Sequence, residues 1–248
     1  MYNPYSLEGK TILITGASSG IGRATAIECS KLGAKCVLTA RNEERLQATL
    51  AAMEGEGHII IPADLTSAED VERLASEAPE VDGLVNNAGI AHSKLVSFLK
   101  QSDLDSVFGA NTFAPVMLTK WLLKKKKIKN EGSIVFTSSI AAMSANLGNA
   151  VYGMSKSAIM TFAEYCATEL AAKKIRVNSV HPGMVNTEMT QNVVFSEEEL
   201  EKDKNNYPLK RYAEPNEIAW GIIYLLSDAT KWVTGTQLII DGGVHLRR

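Results

Sequence analysis

Short runs of consecutive apolar residues alternate along the chain with longer stretches in which apolar residues return every three or four positions. The runs at residues 11–15, 36–40, 58–62, 83–86, 133–137, 176–180 and 237–241 read as strands. They are apolar throughout rather than at alternate positions, which suits a parallel sheet covered on both faces. Helices are expected at residues 21–32, 43–53, 68–76, 104–126, 151–172 and 215–226. The first sets Ile21, Ala24, Thr25, Cys29 and Leu32 near one face, and Thr66 or Ser67 caps the third. The last begins at Pro215, where a missing N–H costs nothing. Strand–helix alternation with short connections predicts a doubly wound α/β fold whose mostly parallel sheet has seven strands. The polar stretch 196–206 is the one candidate for an inserted flexible segment, and residues 186–211 are expected to form a lid.

Composition narrows this picture without redirecting it. With 248 residues, 45% of them hydrophobic and 22% charged, the chain suffices for a full core, and one domain over 1–248 is expected. A net charge of −2 gives no overall pull toward nucleic acid. No apolar run reaches the ~18–20 residues of a membrane span. Cys29, Cys36 and Cys166 are isolated, with no C-x-x-C pair, and read as small apolar packing residues in a reducing compartment. The opening MYNPYSLEGK lacks a basic region followed by an apolar one, so a cytoplasmic protein is expected. No H-E-x-x-H or clustered His/Cys spacing suggests a catalytic metal.

The chemistry gathers in three places. Within residues 132–156, Tyr152 and Lys156 stand four apart, one helical turn, so an ammonium group sits beside a phenol. A neighbouring positive charge favours phenolate, and a phenol tuned this way can exchange protons with an alcohol or carbonyl. The first strand runs directly into Thr15-Gly16-Ala17-Ser18-Ser19-Gly20-Ile21-Gly22 and then a helix. Glycines there let backbone approach a pyrophosphate, whose charge the helix N-terminus favours. The second strand ends in Thr39-Ala40-Arg41-Asn42. It offers no carboxylate for a ribose 2′-hydroxyl, and Arg41 supplies a cation for a 2′-phosphate, so NADP(H) is favoured over NAD(H) in a Rossmann-type domain.

Taken together these residues resemble the short-chain dehydrogenase/reductase family, with motifs in order along essentially the whole chain. They are the glycine pattern of 15–22, Asn86-Asn87-Ala88-Gly89, Asn111, the Y-x-x-x-K pair Tyr152 and Lys156, Pro182-Gly183 followed by Thr187, and Asp241-Gly242-Gly243. The family's serine lies thirteen residues before its tyrosine, which selects Ser139 over Ser138. The resemblance implies that Tyr152 is the general acid–base and Ser139 hydrogen-bonds the reacting oxygen. Lys156 would lower the Tyr152 pKa and hold the nicotinamide ribose, and Asn111 would hold a water linking Lys156 to solvent. It also implies that Gly16, Ser18, Ser19, Gly20, Ile21 and Gly22 meet the pyrophosphate, Arg41 and Asn42 the 2′-phosphate, and Asp64 and Leu65 the adenine. Asn87, Ala88 and Gly89 would meet the adjoining ribose, and Pro182, Gly183, Val185 and Thr187 the nicotinamide side.

The pattern most resembles the 3-oxoacyl-carrier-protein reductase branch, with a keto-sugar, steroid or small-ketone substrate left open. A non-catalytic NADP(H)-sensing regulator, or an epimerase or dehydratase using the cofactor transiently, are the alternatives from other classes. The resemblance implies a homotetramer with helices 104–126 and 151–172 at an interface. Lys124–Lys127 with Lys129 read as a solvated helix end. The other reading, jointly with Lys173 and Lys174, is a surface for an acidic partner such as acyl carrier protein. His92 and His181 read as structural residues, His92 with an open possibility of substrate contact.

Overall fold

Successive residues of β1 (Thr11–Thr15) point to opposite faces of a sheet, and both faces are dry. Ile12 and Ile14 are buried in one apolar cluster and Leu13 in another. The computed structural model describes residues 2–191 and 197–246. Besides β1, the strands are β2 (Lys35–Thr39), β3 (Ile59–Ile60), β4 (Val81–Asn86), β5 (Ile128–Thr137), β6 (Arg176–Pro182) and β7 (Gln237–Ile240). All pair in parallel, in the spatial order β3-β2-β1-β4-β5-β6-β7. The chain thus winds outward from β1 to β3, returns to β4 and winds outward again, leaving a crevice between β1 and β4 at the strands' C-terminal ends.

Helices α1 (Gly20–Lys31), α2 (Glu43–Leu50) and α9 (Pro215–Leu226) cover the face of Ile12 and Ile14, through Ala26, Cys29, Leu46, Ile218 and Ile222. Helices α3 (Ala68–Glu77), α5 (Ala114–Lys124) and α6 (Ala150–Glu169) cover the other, through Val71, Leu74, Leu118, Leu122 and Ile159. Phe136 is fully buried there and meets the Phe162 ring edge-on, with centroids 5.8 Å apart. Such a pair adds about 0.5–1.5 kcal/mol beyond its buried area. Arg176, buried at the start of β6, donates to the Leu225 and Ser227 carbonyls and so sits where the dipole at the end of α9 favours a cation. Cys29, Cys36 and Cys166 are buried free thiols.

Besides β5, which begins at Ile128 rather than at the expected residue 133, the structure departs from the sequence pattern in three places. The third strand, expected over 58–62, shrinks to two residues because the His58 imidazole, rather than a strand carbonyl, accepts the Cys36 N–H at 3.1 Å. The expected helix over 104–126 is two helices, α4 (Gln101–Phe108) and α5, separated by a wider π-helical turn at Gly109–Phe113. Pro115 has no N–H to give the Asn111 carbonyl four residues back, so the α-helical ladder cannot run through this point. The third departure is in the polar stretch 196–206, which contains α8 (Glu197–Lys204) rather than irregular chain, following the short α7 (Glu188–Gln191). Residues 192–196 of the expected lid lie outside the described residues.

Candidate active site

The crevice between β1 and β4 is strapped by hydrogen bonds from the ends of both strands. Thr15 Oγ1 accepts the Asn87 and Ala88 N–H groups at 2.9 and 3.0 Å, and Asn87 Nδ2 donates to the Thr15 carbonyl. This holds residues 87–89 against the turn of residues 16–22. Gly16 and Gly20 have φ of +66° and +50°, a conformation that L side chains rarely adopt. A Cβ on Gly20 would meet Thr187, so the turn and the 183–187 segment close on each other. Between them lies a cleft of about 440 Å³, lined by Ser18, Ser19, Gly20, Arg23, Arg45 and Thr187 among others. No side chain caps the N-terminus of α1, and its first turn holds no acidic residue. A cradle too tight for side chains, at the N-terminus of a helix and walled by Arg23 and by Arg45 with its partner Glu188, fits a diphosphate.

Arg41 and Asp64 stand just past the C-terminal ends of β2 and β3, beside the glycine turn, whose Ala17 N–H donates to the Thr39 carbonyl. Arg41 is exposed and forms no ion pair among the described residues, while Asn42 is engaged as the cap of α2, its Oδ1 accepting the Arg45 N–H. Asp64 accepts both the hydroxyl and the N–H of Thr66, which hold its carboxyl below the ordinary value, and the Arg41 charge adds to this. Leu65 packs partly into the core beneath. Arg45 pairs with Glu188 across the cleft mouth, a contact the sequence pattern gave no reason to expect.

Beyond β4, β5 delivers Ser138 and Ser139 beside α6, which carries Tyr152 and Lys156. The two serines have different partners. Ser138 is buried and donates to the Lys156 carbonyl at 2.9 Å, whereas the Ser139 hydroxyl reaches the Tyr152 phenol and accepts the Ala141 N–H. Tyr152 is half-buried, and burial raises its pKa above the ordinary 10.0, with the Ser139 hydrogen bond pulling the other way. The lowering expected from Lys156 does not prevail in this structure. The Lys156 ammonium lies 5.8 Å from the Tyr152 ring centroid, hydrogen-bonded instead to the Thr137 carbonyl at 2.9 Å.

Lys156 is itself buried, and burial pushes its pKa down from 10.5 to about 8. A lysine whose folded pKa is depressed binds fewer protons in the folded state than in the unfolded state between those two values. Stability should therefore rise with pH across that window. In urea titrations of the cofactor-free protein at either end of it, Lys156→Met is expected to show a smaller rise than the parent. An equal rise in both proteins would show that Lys156 is not the source.

Asn111 lies in the π-helical turn, but its side chain is occupied. Its Oδ1 accepts the Ile90 N–H at 2.7 Å, and its Nδ2 donates to the Ile90 carbonyl and the Ser155 hydroxyl. Both donors are thus used and one oxygen lone pair remains, so the amide works first as a clamp on the 89–90 loop. A Cβ on Gly89 would come within 2.9 Å of Asn111 Oδ1 and 3.4 Å of Lys156 Nζ. Only glycine fits against this cluster.

On the far side, Val185 bridges to Ala213, and the Met184 N–H donates to the Tyr207 hydroxyl. Tyr207 and Tyr212, both buried, stack edge-on, and Tyr212 donates to Asp203 of α8. These contacts fasten both ends of the 186–211 segment beside the site. Gly183 packs against Asp241, and Pro182 ends β6 beside Ile240. His92, by contrast, pairs with Asp103, which also binds Lys94. Several lysines of the basic run are locally matched: Lys125 with Glu72, Lys129 with Asp82 and Lys174 with Glu131.

A doubly wound sheet with a tight glycine turn and an open helix N-terminus at its switch point, and with Ser139, Tyr152 and Lys156 on β5 and α6 beyond it, is the architecture of a nicotinamide-nucleotide oxidoreductase. Comparison with known proteins supports this. A family model described as enoyl-(acyl carrier protein) reductase matches residues 16–245. A 3-oxoacyl-[acyl-carrier-protein] reductase of Rickettsia prowazekii is 35% identical over 238 residues, covering 96% of this chain and 98% of that protein. An L-xylulose reductase of Caenorhabditis elegans is 35% identical over 246 residues, covering 96% and 97%. A solved structure described as a short chain dehydrogenase/reductase family protein superposes with a TM-score of 0.88 at 34% identity, covering 97% of this chain and 99% of that one. The chain belongs to the short-chain dehydrogenase/reductase family, whose members interconvert C–OH and C=O groups with a nicotinamide cofactor.

Proposed function

We propose that the protein is an NADPH-dependent reductase of 3-oxoacyl groups carried as thioesters, with acyl carrier protein as the carrier. The observation that carries the substrate is the near-complete, 35% identical alignment with the Rickettsia reductase of that name. Side chains at the mouth agree with it. Leu95, Met143, Leu147 and Leu209 on loops and Met189 on α7, all exposed and following the C-terminal ends of β4, β5 and β6, suit an alkyl chain better than a polyol.

Bound nicotinamide supplies the hydride. Gly16 to Gly22 and the start of α1 would hold its pyrophosphate, Arg41 the 2′-phosphate, Asp64 and Leu65 the adenine, and Asn87 to Gly89 with Lys156 the riboses. Val185 and Thr187 would orient the ring. The Tyr152 hydroxyl donates its proton to the carbonyl oxygen, and the Ser139 hydroxyl hydrogen-bonds that oxygen as negative charge builds there. Lys156 steadies the charge left on the phenol, and Asn111 keeps the 89–90 loop against both. The 186–211 segment would close over the bound ketone. Exposed Phe113, Met117, Met154 and Tyr165 along the π-helical turn, α5 and α6 favour association through those helices, as in a homotetramer.

A panel of acetoacetyl thioesters, L-xylulose and steroid ketones, followed by NADPH oxidation, tests the substrate. Turnover of L-xylulose with none of the thioester would replace this reading by the keto-sugar one. Tight NADPH binding with no turnover of any ketone would favour a regulator. For the cofactor, Arg41→Ala should raise the Kd for NADPH about 10- to 100-fold, equivalent to the roughly 1.5–3 kcal/mol of a hydrogen bond to a charged group. NADH binding should stay within about twofold by the same argument, since it lacks the phosphate. Equal weakening of both would refute the 2′-phosphate role.

A further inference from the structure

His181 has no part in the proton and hydride transfers described above, yet it lies directly behind them. It is the penultimate residue of β6 and is wholly buried. Its Nδ1 lies 3.3 Å from the backbone carbonyl of Ser139, and its Nε2 lies 2.8 Å from the Ser179 hydroxyl. A carbonyl oxygen can only accept, so Nδ1 must carry the proton. Nε2 is then the lone-pair side, and the Ser179 hydroxyl donates to it at 2.8 Å in preference to its other acceptor, the Thr236 carbonyl at 3.5 Å. Burial and the nearby Lys156 charge both lower the His181 pKa, which keeps the ring neutral.

The residue this ring grips begins the turn that presents the reacting hydroxyl. Ser139 is extended, with φ −167° and ψ 158°, and the chain then turns so that the Ala142 N–H reaches the same Ser139 carbonyl at 3.0 Å. The turn is held from the other side by α6. The Ser157 hydroxyl donates to the Ala142 carbonyl, and Gly153 allows an approach so close that a Cβ would lie 2.7 Å from the Ala141 carbonyl. A hydroxyl that must point at a developing oxyanion is useful only if its backbone cannot rock. Of the side chains gripping residues 139–142, His181 is the one that reaches from the sheet, and it meets the turn at Ser139 itself.

The geometry points to His181 as a positioning residue, whose neutral Nδ1–H holds the Ser139 backbone so that the Ser139 hydroxyl faces the substrate oxygen and Tyr152. It acts through Ser139 and touches neither substrate nor cofactor. The inference rests on Ser139 having the polarising role proposed above.

Two measurements test it. In NMR of the histidine-labelled protein, one of the four imidazoles should show a bonded Nδ1–H and a bare Nε2 through neutral pH, and His181→Asn should remove that signal. An Nε2–H tautomer at His181 would overturn the proposal, because that ring could not donate to the Ser139 carbonyl. In kinetics, His181→Leu should lower kcat about 10- to 100-fold, the scale of a misdirected donor to an oxyanion, with NADPH affinity unchanged. His181→Asn, which can place an amide N–H where Nδ1 stands, should recover most of the loss, a rescue that a merely space-filling role would not give. In a Ser139→Ala background the His181→Leu penalty should vanish, since residues acting as one unit are not additive. A penalty that persists in full there, or an Asn variant as slow as the Leu variant, overturns the positioning role alone. Undiminished kcat in Ser139→Ala itself would overturn the reading of the site, and this proposal with it.

Discussion

Replacing Tyr152 by phenylalanine should leave a folded protein that binds NADPH as the parent does and reduces its ketone about 10²- to 10⁴-fold more slowly, the usual contribution of one positioned acid. The ring's packing is kept and only the hydroxyl is lost, so thermal stability serves as the control for folding. The raised pKa of the phenol sharpens the prediction. A phenol held above its ordinary value is protonated at neutral pH, which is the form that reduction needs. Oxidation of the alcohol needs phenolate, so kcat for oxidation should climb with pH while that for reduction holds level, falling only as the phenol titrates. Lys156→Met should weaken cofactor binding and turnover together, whereas Tyr152→Phe should separate them. A Tyr152→Phe enzyme with near-normal reduction would mean that another group supplies the proton.

The contrast between Tyr152 and Lys156 shows how far sequence can be read here. Spacing of four on a helix places both side chains on one face, and the fold obeys that. What spacing could not give is the partner each group takes once buried. Lys156 turns to the Thr137 carbonyl, an acceptor on a strand that enters the site from another part of the chain. One of its N–H groups is therefore committed elsewhere in this structure, and at the phenol burial is the largest influence. Asn111 repeats the lesson. The sequence placed it in the middle of a long helix, whereas Pro115 widens the helix there and the amide is taken by Ile90 and Ser155. The strands were legible because their apolar runs are a local property. Arg45 with Glu188, Tyr207 with Met184 and His181 with Ser139 are contacts across 143, 23 and 42 residues, and no periodicity records them.

Glycine 22 carries the second large effect. A Cβ built there would lie 2.2 Å from the Gly16 carbonyl oxygen, 2.7 Å from the Gly16 carbonyl carbon and 2.6 Å from Asn87 Nδ2. The first two obstacles are backbone, so no rotamer change relieves them. Gly16 is itself held at φ +66°, its Cα packed closely against Asn87 and Ala88 just after β4. Gly22→Ala must therefore push α1 away from the turn or turn Gly16 out of its conformation, and either one opens the diphosphate cradle. Overpacking of this kind costs about 1–3 kcal/mol, with more expected against backbone. In a chain of this length each kcal/mol lowers Tm by roughly 2–4 °C, so a fall of about 2–12 °C is expected. NADPH affinity should drop at least about tenfold, because helix N–H groups bind an anion only when they face it. Gly109→Ala is the matched stability control: nothing lies within 4 Å of its Cβ position, and its Tm should not fall. Saturating NADPH should restore little of the Gly22→Ala loss, since the variant's cradle no longer fits what would stabilise it. If Gly22→Ala kept both its Tm and its NADPH affinity, residues 16–22 would not be the cofactor's seat, and the assignment of the whole cleft would have to be redrawn.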